Sequence, residues 1–173
     1  MMKNVDNLDT LGIYRYCVKR NTAWRELPRT DLQRNLMKFA EFNLHPDVLR
    51  GIDDAAFTDC TPVQEMTLDK TLKGIDVYVQ SQTGTGKTAA FLITIFHLFL
   101  TSDRYKNRKA LIIVPTRELA VQVEKEAKLL GKHCRFKVGS FFGGIGYDKQ
   151  EKLLQDNLNV YVGTPGRLID FYK

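Results

Sequence analysis

The stretch Val77-Tyr78-Val79-Gln80-Ser81-Gln82-Thr83-Gly84-Thr85-Gly86-Lys87-Thr88, followed by the apolar run Ala89 to Leu100, decides how this chain folds. A short β-branched and aromatic strand enters a glycine-containing loop, and the loop enters a helix. Gly84 and Gly86 permit backbone conformations that a side chain forbids, so successive N–H groups can turn inward around a phosphate. Lys87 adds a point charge for the β- and γ-phosphates, and the Thr88 hydroxyl is placed to ligate magnesium. The start of the following helix attracts an anion further. Together these features predict a nucleoside-triphosphate cradle lined by Ser81, Gln82, Thr83, Gly84, Thr85, Gly86, Lys87 and Thr88.

Outward from the loop, strands and helices alternate. Upstream, Pro46 to Ala56 reads as a helix with proline at its permissive first position. Thr61-Pro62-Val63-Gln64 starts another, with Thr61 as N-cap and Gln64 completing a capping box; this helix runs to about Leu72. Downstream, Ala110 to Val114 is a continuous apolar run, which predicts a strand buried on both faces. Glu118 to Leu130 is helical, Phe136 to Phe142 a strand, Tyr147 to Gln155 a polar helix, and Val160 to Val162 a further strand. A last helix begins near Arg167. This alternation predicts an α/β fold with a parallel sheet flanked by helices.

The chain has 173 residues, enough for one domain with a real core, and carries a net charge of +6. The charge is uneven. Residues 1–38 hold eight Lys/Arg against four Asp/Glu, and the rest eighteen against sixteen. That basic extension interleaves aromatics (Tyr14-Arg15-Tyr16, Trp24-Arg25) with cations (Lys19-Arg20). It could stack on bases and neutralise phosphates, or dock on the domain. Cys17, Cys60 and Cys134 are widely spaced and odd in number, which fits a reducing compartment. No secretory signal or membrane-length apolar run is visible, so a cytoplasmic location is expected.

In a parallel sheet, function gathers in the loops after the carboxyl ends of strands. Beyond the phosphate loop, three such loops stand out: Pro115-Thr116-Arg117-Glu118, Gly143-Gly144 and Thr164-Pro165-Gly166-Arg167. Each combines small residues with free N–H groups near a helix start, and two add an arginine. That composition suits contact with a nucleic-acid backbone. Taken singly, Thr116 and Thr164 could equally be helix caps, and Gly143-Gly144 a plain turn.

Residues 39–173 resemble the first RecA-like domain of DEAD-box RNA helicases. Ser81 to Thr88 is similar to that family's motif I, Pro115 to Ala120 to motif Ia, Gly143-Gly144 to the GG motif, and Thr164 to Arg167 to motif Ib. Gln64 resembles the adenine-reading glutamine of the Q motif, and Phe39 stands where the family has an adenine-stacking aromatic. A core position for Phe39, next to Phe42, is the other reading of that residue. Gly143 to Lys149 and the ending Gly166 to Lys173 are similar to the bacterial degradosome-type helicases. The resemblance implies ATP and magnesium as cofactors, and single-stranded RNA held through its backbone on the motif Ia, GG and Ib rim, without sequence preference. It also implies an RNA-processing protein complex as partner.

The chain departs from the family in three places. Ser81 replaces the usual alanine of motif I, and Ala56-Phe57 the usual Gly-Phe. Residues 1–173 also hold no Asp-Glu-Ala-Asp box, no Ser-Ala-Thr motif and no second RecA-like domain. Asp53-Asp54 and Asp170 are not at the end of an apolar strand and do not substitute. Hydrolysis needs a carboxylate-held magnesium and an arginine finger, the latter worth roughly 10³–10⁵ in rate. The 173-residue polypeptide is therefore expected to be part of a longer helicase that binds ATP weakly and does not turn it over. A non-catalytic RNA- or protein-binding module is the alternative, and a small phosphate-loop kinase is disfavoured by Gln64 and Thr164-Pro165-Gly166-Arg167.

Overall fold

The computed structural model describes residues 15–18, 21–26 and 36–172. The first ten residues, Tyr14 and the Lys19-Arg20 pair lie outside the described residues. The order of elements is β1 (Arg15–Val18), β2 (Asn21–Glu26), α1 (Pro46–Asp54), α2 (Pro62–Thr71), β3 (Val77–Gln80), α3 (Lys87–Thr101) and β4 (Ala110–Ile113). There follow α4 (Arg117–Leu130), β5 (Val138–Phe141), α5 (Tyr147–Gln155), β6 (Val160–Gly163) and α6 (Pro165–Tyr172). Every helix and strand read from residue 46 onward is present, with ends shifted by a few residues.

The helix starts follow local chemistry. The His45 side chain accepts from Asp47 N ahead of Pro46. Thr61 and Gln64 form the reciprocal capping box that their spacing predicts. Thr116 caps α4 by accepting from Leu119 N. At the other end of α4 the chain reaches Gly131, and α2 stops ahead of Gly74, whose φ is +72°.

Two sheets form rather than one. Strands β4, β6 and β5 make a parallel sheet in that order, with Ala110 and Val138 flanking Val160, and Ile113 and Phe141 flanking Gly163. The phosphate-loop strand β3 belongs instead to an antiparallel sheet of order β2-β1-β3. Arg15 pairs with Gln80 and Val18 with Val77. The expected parallel sheet of the α/β fold is thus present with three strands among the described residues, and β3 stands outside it. The N–H and C=O groups of β3 need ladder partners, and the basic extension supplies them. Strands β1 and β2 of that extension thus join β3 through their backbones.

The core lies among α1 to α4 and the parallel sheet. Leu92, Ile93 and Phe96 of α3 are fully buried, as are Val63 and Leu68 of α2, Leu130 of α4 and Val160 and Val162 of β6. Phe96 reaches the segment before β5, with its ring centroid 5.5 Å from that of Phe136. Strand β4 corrects the expectation drawn from its apolar run. Leu111 is 58% and Ile113 60% exposed, because alternate side chains face opposite ways and the described helices cover one face.

Candidate functional site

At the phosphate loop the backbone takes the conformation its glycines were read to need. Gly84 has φ +79° and Gly86, the N-cap of α3, has φ +81°. A Cβ on Gly86 would run into the Gln64 side-chain amide, so a side chain there would strain the backbone and displace Gln64. Lys87 folds back over the loop. Its Nζ donates to Ser81 O at 2.8 Å, to Gln82 O and to Ser81 Oγ at 3.0 Å. Partial burial lowers the Lys87 pKa from its ordinary value. Ser81 also bonds Thr85 Oγ1 at 2.8 Å. The serine that replaces the usual small apolar residue is therefore a polar contact of the lysine, not only a tolerated substitution.

The N-terminus of α2 is bonded into the same loop. Thr61 Oγ1 donates to Thr85 O at 2.8 Å, and Gln64 Nε2 donates to Gly86 O at 3.2 Å. Gln64 Oε1 accepts from Thr61 N at 2.8 Å. One amide N–H and one lone pair of Gln64 remain for another partner, although the residue is only 4% exposed. Phe39 is not brought to this site. It is 2% exposed and its ring stacks on Phe57 at 6.3 Å, which makes it part of the core. The structure thus presents no open Phe39 face for a base.

Thr88 sits in the first turn of α3, and its hydroxyl has no hydrogen-bond partner among the described residues. That free hydroxyl beside a positively poised loop fits a magnesium ion arriving with a triphosphate, which needs few protein ligands. Among the described residues, no group of three or more His, Cys, Asp and Glu could hold a metal by itself. Asp54 is engaged elsewhere, with Lys132 at 2.7 Å and His133 at 3.1 Å. Those neighbours hold its carboxyl below the usual range.

The three remaining loops form one connected surface. The Arg117 guanidinium lies 5.2 Å over the Phe142 ring, and its Nη1 would be 3.3 Å from a Cβ placed on Gly144, whose φ is +84°. A Cβ on Gly143 or Gly166 would meet nothing within 4 Å, so both leave room for close approach. Pro115, Thr116, Glu118 and Pro165 are exposed beside them, and Thr164 N donates to Phe141 O at 2.9 Å. Arg167 behaves differently from Arg117. It is 7% exposed, and its Nη2 donates to Ile145 O at 3.1 Å. Its guanidinium stacks 4.1 Å from the Tyr147 ring centroid. Nε and Nη1 of Arg167 are buried with no hydrogen-bond partner.

Two residues of this surface escaped sequence reasoning. Gln150 is buried and clamps the chain ahead of the glycine turn, accepting from Phe142 N at 3.2 Å and donating to Phe142 O at 3.0 Å. Its position four residues before Leu154, on the apolar stripe of α5, was the available signal. Tyr147 opens α5 and covers Arg167. A lone aromatic in a polar helix gave little reason to single it out.

Comparison with known proteins agrees with this layout. A family model described as DEAD/DEAH box helicase matches residues 61–173. The ATP-dependent RNA helicase RhlB of Photorhabdus laumondii is 48% identical over 141 residues, 79% of this chain and 33% of that protein. RhlB of Xanthomonas campestris is 45% identical over 151 residues, 84% of this chain and 26% of that protein. A hypothetical ATP-dependent RNA helicase from Sulfolobus tokodaii superposes with a TM-score of 0.64 at 31% identity, over 75% of this chain and 36% of that one. The DEAD-box helicase Mss116 bound to ssRNA and UDP-BeF gives 0.64 at 32% identity, over 76% and 28%. The chain spans about a third or less of the curated relatives it matches.

Proposed function

Because the chain belongs to the DEAD/DEAH box helicase family, we propose that residues 39–173 are the ATP-binding and RNA-backbone-binding part of an ATP-dependent RNA helicase. Residues 1–38 act as a separate supporting extension. One observation carries the reading: Thr61 and Gln64 are hydrogen-bonded directly into the phosphate loop at Thr85 and Gly86. A side-chain amide with one donor and one acceptor to spare, fixed to the edge of a phosphate cradle, can read an adenine and report its presence to the loop.

On this reading Lys87 exchanges the carbonyls of Ser81 and Gln82 for the β- and γ-phosphates. Thr88 holds magnesium, which supplies neutralisation of the phosphate charge. Arg117, the Gly143-Gly144 turn and the amino end of α6 track an RNA backbone through phosphates and 2′-hydroxyls, which carries no sequence preference. The cytoplasmic location and a place in an RNA-processing complex belong to the same reading. The helicase nature of the RhlB relatives and the ssRNA bound to Mss116 support it by kinship.

The 173-residue polypeptide binds and does not turn over. Among the described residues, strands β3 to β6 end at Gln80, Ile113, Phe141 and Gly163, with no carboxylate there to position an attacking water. Fluorescence titration with ATP and GTP analogues tests the assignment. The parent chain is expected to prefer ATP, Gln64→Ala to erase the preference, and Lys87→Ala to abolish binding. A preference untouched by Gln64→Ala removes the adenine role. RNA-stimulated phosphate release that Lys87→Ala abolishes would overturn the inactive assignment.

A further inference from the structure

Tyr147 is held more firmly than an exposed residue needs to be. One face of its ring lies 4.1 Å from the Arg167 guanidinium. Its edge meets the Phe171 ring at 5.7 Å with an interplanar angle of 72°. Its hydroxyl donates to Asp170 Oδ2 at 3.1 Å. All three partners come from α6, while Tyr147 itself opens α5. Yet the residue is 51% exposed, and its ring contacts, Arg167 and Phe171, both come from α6.

The cost of this arrangement falls on Arg167. Two of its nitrogens are buried without partners, a penalty that a surface arginine would avoid. Arg167 is committed inward, to Ile145 O and to the underside of Tyr147, and is not free to meet a phosphate. The ring it supports stands three residues from Gly144, beside the open approach at Gly143 and Gly166. A half-exposed aromatic held in place by three contacts, next to a turn read as backbone-binding, is what a nucleic-acid stacking platform requires.

We propose that Tyr147 is an RNA-contact residue, stacking on a base of the single strand that passes over the 143–146 turn, and that Arg167 is its positioning residue rather than a phosphate ligand. This rests on the RNA reading of the rim given above. Stacking on a π-face is sequence-tolerant, so the platform adds affinity without adding sequence preference.

The test measures binding of the 173-residue chain to a fluorescent single-stranded RNA and to an abasic ribose-phosphate oligomer of the same length. Tyr147→Ala is expected to weaken RNA binding by roughly five- to 150-fold, the range of one stacked base, and to leave abasic binding unchanged. Tyr147→Phe keeps the ring and is expected to bind both like the parent. If Tyr147→Ala binds RNA as the parent does, the platform is overturned and the RNA reading survives. An equal loss on both oligomers also overturns it, since the ring would then only support the turn. If the parent binds no RNA at all, the RNA reading fails and the platform with it.

Discussion

The phosphate loop and the rim around residues 142–147 and 164–167 are both built from strand-end loops, yet their basic side chains are held in opposite ways. In the loop, Lys87 bonds to Ser81, Gln82 and Thr85, all within six residues along the chain. In the rim, Arg167 reaches Ile145 across 22 residues, and Arg117 of α4 lies over Phe142 at the end of β5. Local bonds of the first kind can be exchanged for ligand bonds without moving the core. Contacts of the second kind fix several elements at once, so a change in one rim residue is felt by its neighbours. The strands below differ in the same sense. Strand β6 is flanked on both sides by parallel partners, whereas β3 draws its ladder from the N-terminal hairpin.

The largest expected effect comes from cutting what joins the two regions. Helix α3 starts at the loop, and its buried Phe96 packs on Phe136 ahead of β5. Phe96→Ala is expected to cost about 3–5 kcal/mol in urea denaturation. A loss below about 1 kcal/mol would mean that the regions are joined elsewhere. A smaller effect, confined to one region, separates them directly. Removing residues 1–35 is expected to speed amide exchange at Val77–Gln80 by about tenfold or more and to leave Val160–Gly163 unchanged. Equal acceleration in both strands would break the comparison. The smallest effect lies inside the loop. Ser81→Ala removes one acceptor that competes with phosphate for Lys87, so ATP affinity is expected to rise roughly two- to tenfold in titration. Unchanged or weaker binding would show that the serine hydroxyl does not compete.

Much of the nucleotide end was legible because its determinants are close in sequence. The Thr61–Gln64 capping box, proline at the start of α1 and α2, and the positive φ of Gly84 and Gly86 each depend on residues a few positions apart. The rim was legible as composition and misleading in detail. Arg117 and Arg167 read alike, each in a loop after a strand. One is exposed and the other lies beneath Tyr147, because only packing of α6 against α5 and its preceding turn decides which arginine is covered. Phe39 shows the same limit, since its burial depends on Phe57 eighteen positions away.

By itself, then, the amino-acid order of this chain determined the alternation of strands and helices, the capping box of α2 and the glycine conformations of the loop before α3, since turns, caps and periodicity are local physics. Only the tertiary structure decided that β3 would pair with the N-terminal hairpin, that β4 would leave Leu111 and Ile113 open, and that Arg167 would support a tyrosine. Each of those outcomes depends on which distant groups satisfy a buried or unpaired partner, and short-range patterns do not specify the partner.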